Sequence, residues 1–125
     1  MLQLLDSDLM EIMLAVREQR LGELDIRWKT QSAACIILAS GGYPGKYEGG
    51  KVITGMDEAE AMGATVYHAG TRLMDGEYVT AGGRVLGVTA MGESLRGAVD
   101  AAYAAARKIS FEGAHMRSDI GSKDC

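Results

Sequence analysis

The chain has little of what several function classes require. It carries only two cysteines, Cys35 and Cys125, and two histidines, His68 and His115, with no C-x-x-C or H-E-x-x-H spacing. A zinc site made by this chain alone therefore has no support, because such sites need clustered thiolate or imidazole donors. Cys35 lies inside an apolar run and reads as a small core residue rather than a ligand or nucleophile; Cys125, the last residue, reads as mobile. No apolar stretch approaches the roughly 20 residues that cross a bilayer, and the N-terminus lacks the basic start of a signal peptide. Thirteen Lys and Arg stand against seventeen Asp and Glu, a net charge of −4 with no basic run, which argues against a broad nucleic-acid footprint. The expectation is a soluble, cytoplasmic protein that engages neither nucleic acid nor membrane. What is present is ordinary for a globular domain, 125 residues at 47% hydrophobic and 24% charged, enough for one core.

Residues 66–90 organise the rest. Two runs rich in β-branched residues, Val66-Tyr67-His68-Ala69-Gly70-Thr71 and Arg84-Val85-Leu86-Gly87-Val88-Thr89-Ala90, are separated by Asp75-Gly76 and Gly82-Gly83. The pattern predicts antiparallel strands folded back as a meander. The polar residues His68, Thr71 and Arg84 sit beside glycines, where a charged group meets little steric cover. Arg84, after two glycines, is the best candidate for bidentate recognition of a phosphate or carboxylate; the alternative is a surface arginine in a salt bridge. Successive strand side chains point to opposite faces, so one of Tyr67 and His68 is expected in the core, and His68 is either a structural or a catalytic histidine.

Ahead of this lies a helix capped by Asp6 or Ser7, with Leu5 and Met10 as a hydrophobic staple. Leu9, Ile12, Met13 and Val16 fall on one stripe expected to face a core, and the helix is expected to stop near Leu21-Gly22. Leu24–Lys29 alternates like a half-buried strand or extended segment, with Trp28 as a packing anchor. Ala33–Ala39 is a continuous apolar run expected to be a central strand covered on both faces. The segment from Ser40 to Gly50 holds five of the glycines and the single proline, and is either a shaped surface loop or a substrate-facing one. It lacks both phosphate-cradling spacings, GxxxxGK[ST] and GxGxxG; Lys46 is a phosphate contact or a solvated lysine. Lys51–Gly55 reads as a short strand and Met56–Met62 as a helical turn. A long helix begins after Gly92-Glu93-Ser94, its stripe formed by Leu95, Ala98, Val99, Ala102, Tyr103, Ala106 and Ile109. The polar end, His115-Met116-Arg117-Ser118-Asp119-Ile120-Gly121, is either a docked tail or a frayed one.

Five of these stretches, in order, resemble the C-terminal part of phosphoribosylamine-glycine ligases, also called glycinamide ribonucleotide synthetases. They are Ala39–Gly45 with Tyr47, Gly50–Gly55, Val66–Thr71, Gly82–Ala90 and Arg117–Gly121. Leu5–Leu9 is similar to the stretch where that family's ATP-grasp region hands over to its last domain, which divides the chain into a linking helix, 1–22, and a domain, 23–125. The resemblance implies an α+β fold, a small antiparallel sheet or half-barrel packed with two main helices, like a rudiment single hybrid motif. It implies a reaction joining glycine to 5-phosphoribosylamine with ATP and Mg²⁺ or Mn²⁺, through a glycyl phosphate. The ATP-grasp lobes, the metal ligands and the N-terminal domain of such an enzyme would be upstream partners. No catalytic residue, metal ligand or cofactor is therefore expected in this chain, which is expected to be inactive alone and to self-associate through surface those lobes cover. Carried over by position, Gly82, Gly83 and Arg84 face the cleft as substrate-binding residues, His68 and Thr71 lie near it, and Arg117 and Asp119 brace that wall. Gly87 stands where many relatives carry Cys or Ala. The alternative, which composition alone favours, is a stand-alone binding or interaction module without catalysis.

Overall fold

A computed structural model describes residues 1–123; Cys125, expected to be mobile, lies outside them. The elements are α1 (Leu9–Arg17), β1 (Ser32–Ala39), α2 (Met56–Ala61), β2 (Thr65–His68), β3 (Thr71–Met74), β4 (Glu77–Thr80), β5 (Arg84–Gly92) and α3 (Leu95–Ala106). The fold is α+β and antiparallel: a three-stranded sheet in the order β1-β5-β2, and a separate hairpin of β3 and β4.

Strand β5 is the centre. It pairs on one side with β1, Ile36 opposite Val88 and Leu38 opposite Leu86, and on the other with β2, Val66 opposite Val88. Val85, Leu86 and Val88 have no exposed surface at all. The expected ladder of the 66–71 and 84–90 runs is thus present. The stretch between them, however, leaves the sheet as its own hairpin, turned by Asp75 (φ 51°) and Gly76 (φ 81°). Positive φ at both central residues is the turn geometry that matches strand twist.

Helix α3 covers one face of the sheet. Ser94 Oγ accepts the Gly97 N–H at 3.1 Å, a cap for the free donors of the first turn. Ala98, Val99, Ala102, Tyr103, Ala105 and Ala106 are buried, close to the predicted stripe. Small side chains let the helix sit low on the sheet: a Cβ on Gly92 of β5 would meet Ala98 N at 2.6 Å. Phe111, Ile109, Ile53 and Ala59 of α2 close the same core.

Several expectations are corrected. β1 is an edge strand, because β5 takes the middle, and it alternates in burial. Ile36 and Leu38 face the core, while Ile37 is 43% exposed and Cys35 is exposed, so Cys35 is not a core residue. Tyr67 and His68 are both exposed, since β2 is a four-residue edge strand that runs past the core. Lys51–Gly55 is extended but contributes only single bridges, Val52 to Val79 and Thr54 to Ser110.

The N-terminal segment differs most. The cap of α1 is Asp8, accepting Met10 N–H at 2.9 Å, so the Leu5–Met10 staple does not form. Ser7 instead accepts the Arg27 N–H at 2.6 Å and ties down the extended 25–27 stretch. The helix ends at Arg17, not near Gly22: Gln19 turns left-handed (φ 57°), with Arg20 N–H bonded to Ala15 O and Gln19 N–H to Val16 O. That pair of bonds is a Schellman close made without glycine. Of the helix only Ala15 is buried; Leu9, Met13 and Val16 are exposed, as is half of Trp28. Among the described residues the predicted stripe is left mostly uncovered, with Ile12 partly buried. The described residues hold no helix long and apolar enough to cross a membrane.

Leu86→Ala is expected to destabilise the chain by about 2–5 kcal/mol, the usual cost of a core cavity. Met13→Lys on α1 should stay within about 0.5 kcal/mol. Urea unfolding of both variants checks the contrast.

Candidate functional site

The first residue of β5, Arg84, sits where three backbone segments cross at close quarters. Gly70 follows β2, Gly82 follows β4, and their chains touch: a Cβ on Gly70 would meet Gly82 Cα at 2.8 Å and Arg84 O at 2.6 Å. Only residues without a side chain allow this approach. Ala69 and Gly70 both donate N–H bonds to Val85 O, and Ala81 N–H bonds Gly70 O at 2.7 Å. The third segment is the glycine-rich loop after β1. The Tyr43 ring lies against Gly83, where any Cβ would overlap it, and the Tyr43–Pro44 peptide is cis.

Arg84 is exposed, and its side chain has no hydrogen bond or ion pair within the described residues. It overlooks two adjoining concavities. One, of about 390 Å³, is lined by Ile37, Ala39, Tyr43, Pro44, Arg84, His115, Met116 and Arg117. The other, of about 460 Å³, runs past Ile37, Tyr43, Ala69, Gly70, Gly83 and Arg84. The floor is apolar and the rim cationic. An anion here meets a guanidinium with all its donors available, the geometry that recognises phosphate or carboxylate in a fork.

The neighbouring cations are already compensated. Arg117 grips Asp119 in two bonds of 2.9 and 2.6 Å. The hydrogen bond from Arg117, with its charge, holds the Asp119 carboxyl below the ordinary carboxylate range, and Asp119 likewise raises Arg117. The tail carrying this pair is docked, not frayed: His115 exchanges both backbone bonds with Ala39, and the Tyr103 hydroxyl donates to Arg117 O at 2.6 Å while accepting Ile120 N–H at 3.1 Å. Lys46 lines a third concavity, of about 440 Å³, with Lys51; there Lys51 lies between Glu48 at 3.6 Å and Glu112 at 3.5 Å. Arg84 is thus the unpaired guanidinium at its own two concavities, while the third combines the unpaired Lys46 with two carboxylates.

The sequence-derived candidates separate into two groups. Arg84 lines both concavities, Arg117 the first and Gly83 the second, while Gly82 packs against Gly70 and Asp119 braces Arg117. His68 and Thr71 pair with each other instead, Nδ1 to Oγ1 at 2.8 Å, with the imidazole stacked 4.6 Å from the Tyr78 ring; neither lines the Arg84 concavities. Sequence reading missed Ile37, Tyr43, Pro44 and His115. Tyr43-Pro44 within a glycine-rich loop was the available signal, but nothing local says which strand end that loop will cover. Among the described residues no three His, Cys, Asp or Glu side chains gather to hold a metal ion, so no residue here is assigned to a divalent cation.

Fold and rim together describe a small α+β domain that presents one unpaired arginine beside an apolar floor. Residues 33–123 match the family described as phosphoribosylglycinamide synthetase, C domain, and the chain belongs to that family. It is 52% identical over 122 residues to a phosphoribosylamine-glycine ligase of a Nostoc species, covering 96% of this chain and 29% of that protein. It is 46% identical to the ligase of a Synechocystis species, covering 98% and 29%. The crystal structure of phosphoribosylamine-glycine ligase from Thermotoga maritima superposes with a TM-score of 0.71 at 35% identity, over 86% of this chain and 27% of that one. The chain thus spans less than a third of the length of the curated relatives it matches.

Gly83→Ala is expected to push the Tyr43 ring off the residue 83 backbone and to cost about 1–3 kcal/mol, the usual penalty of overpacking; thermal unfolding and tyrosine fluorescence check it. The Arg117–Asp119 pair stabilises only while Asp119 is ionised. Because its folded pKa is depressed, that contribution is complete above the unfolded value of about 3.9 and disappears as pH falls through the lower folded value. The Tm gap between wild type and Asp119→Asn should therefore be small, constant from neutral pH down to about 5, and closed in stronger acid.

Proposed function

We propose that the chain is the C-terminal domain of a phosphoribosylamine-glycine ligase, acting in purine nucleotide biosynthesis in the cytoplasm. In this reading it forms one wall of a cleft whose other walls are the ATP-grasp and N-terminal domains of the same enzyme. The observation that carries it is Arg84, exposed and unpaired on an apolar concavity, in a chain belonging to this C-domain family.

The reaction makes an amide: the amine nitrogen of phosphoribosylamine attacks the carbonyl of an activated glycine, which releases phosphate. ATP and Mg²⁺ or Mn²⁺ supply that activation from the upstream domains. This chain's part is binding and orientation. Arg84 takes the 5-phosphate of the substrate in its guanidinium fork, and Gly82 and Gly83, packed against Gly70 and the Tyr43 ring, shape the substrate-binding wall from which it projects. Arg117, held by Asp119, keeps the far rim fixed. His68 and Thr71 border the cleft from the hairpin side, one edge strand away. Holding the phosphate at a set distance converts substrate binding into orientation of the amine. Without the upstream lobes no group neutralises the transferring phosphoryl, and electrostatic stabilisation is most of what such transfer requires; the chain alone is inactive.

The exposed apolar residues of the N-terminal segment, Met10, Met13, Val16 and Trp28 among them, belong in the same picture. Residues 1–22 act as the linking segment, and their apolar side packs on the preceding domain; cut from it, the chain self-associates, as exposed apolar patches of interdomain size do.

Joining the chain to an upstream ligase region should produce glycine-dependent ATP turnover. Arg84→Ala there should raise the KM for phosphoribosylamine by about 10–100-fold, from a charged hydrogen bond worth about 1.5–3 kcal/mol, and turnover without that change would remove Arg84 from the site. Sedimentation of the chain alone should show mass rising with concentration, and a sharp monomer at every concentration would count against the linking role.

A further inference from the structure

We infer that Ser40 is the positioning residue that aims Arg84 into the concavity. The inference rests on the reading of Arg84 as the anion-holding group, and it concerns how that group is held. An arginine that follows two glycines has a loose anchor, because glycine loses more freedom on ordering than any other residue. Something must fix residues 82 and 83, and the loop after β1 does so.

Ser40 is 2% exposed. Its Oγ donates to Gly82 O at 2.7 Å, and its backbone N–H donates to Gly83 O, also at 2.7 Å. One residue thereby occupies both carbonyls that precede Arg84. Its own carbonyl accepts Tyr43 N–H at 3.1 Å, which folds the loop so that the Tyr43 ring covers Gly83. From the opposite side Gly70 O accepts Ala81 N–H. The turn is therefore clamped between two segments, with the Ser40 side-chain bond partly buried. Ser40 does not itself line either concavity at Arg84; it acts through the glycines.

The ordering half needs no ligand. In the full 125-residue chain, Ser40→Ala is expected to increase the fast backbone motion of Gly82, Gly83 and Arg84, read by ¹⁵N relaxation, while Val88 amide exchange stays slow. The aiming half uses ribose 5-phosphate as probe. Ser40→Ala should weaken its binding about tenfold, equivalent to about 1.4 kcal/mol, and Ser40→Thr, which keeps the hydroxyl, should restore both readouts. If Ser40→Ala does not fold, Ser40→Cys, a weak donor of similar size, is expected to move both readouts in the same direction. Unchanged relaxation and affinity in the folded variant would overturn the inference. Wild-type chain that binds ribose 5-phosphate without a shift at the Arg84 Nε–Hε resonance would overturn the anion role of Arg84, and the relaxation readout would still decide for or against Ser40.

Discussion

Everything in this chain hangs on the double pairing of one strand. β5 is hydrogen-bonded to β1 on one side and β2 on the other, and its middle is closed to solvent on both faces. From Leu86 to Thr89 it is paired on both sides, and β1 continues the pairing to both ends, shifting register beside Arg84. Gly92 must therefore admit α3, and Arg84 must emerge where the loop after β1 and the corner after β2 converge. The buried apolar residues of β5, β1 and α3 supply most of the driving force for this arrangement, and the site sits at its margin.

Two further constraints turn that margin into a binding surface. Close backbone crossing uses glycine at 70 and 82, and an aromatic ring against Gly83 leaves no space for a side chain there. Charge then selects among the basic residues. Lys51 and Arg117 already have carboxylates within 4 Å, while Arg84 has none among the described residues, so an incoming anion displaces no existing partner. A compensated cation gives a ligand little, because the gain is offset by the ion pair it breaks.

The surface of the N-terminal segment follows a different rule. Its apolar periodicity is real, yet the stripe is exposed, since periodicity reports that a helix wants a partner and says nothing of whether the partner lies in the same 125 residues. The same blindness explains β1 and Trp28. A run of apolar residues fits a central strand, but which strand takes the centre depends on pairings made 50 residues away. Trp28 has the chemistry of an anchor, yet about half of it stays exposed, and its backbone makes an isolated bridge to Leu5.

Local chemistry alone was enough for much of the rest. The Asp75-Gly76 turn, the Ser94 cap, the stripe of α3, the pairing of the 66–68 and 84–90 runs and the arginine behind two glycines are all fixed by short-range sterics, hydrogen bonding and period, which a sequence carries in full. Tertiary structure decided the things that depend on what meets what. It brought Tyr43, Ile37 and His115 to Arg84, set His68 against Thr71 and Tyr78, docked the tail through Tyr103, and left the Arg84 guanidinium without a counter-charge among the described residues. Most of these contacts join separate elements of the chain, set by the packing of the whole core, and no local pattern encodes them.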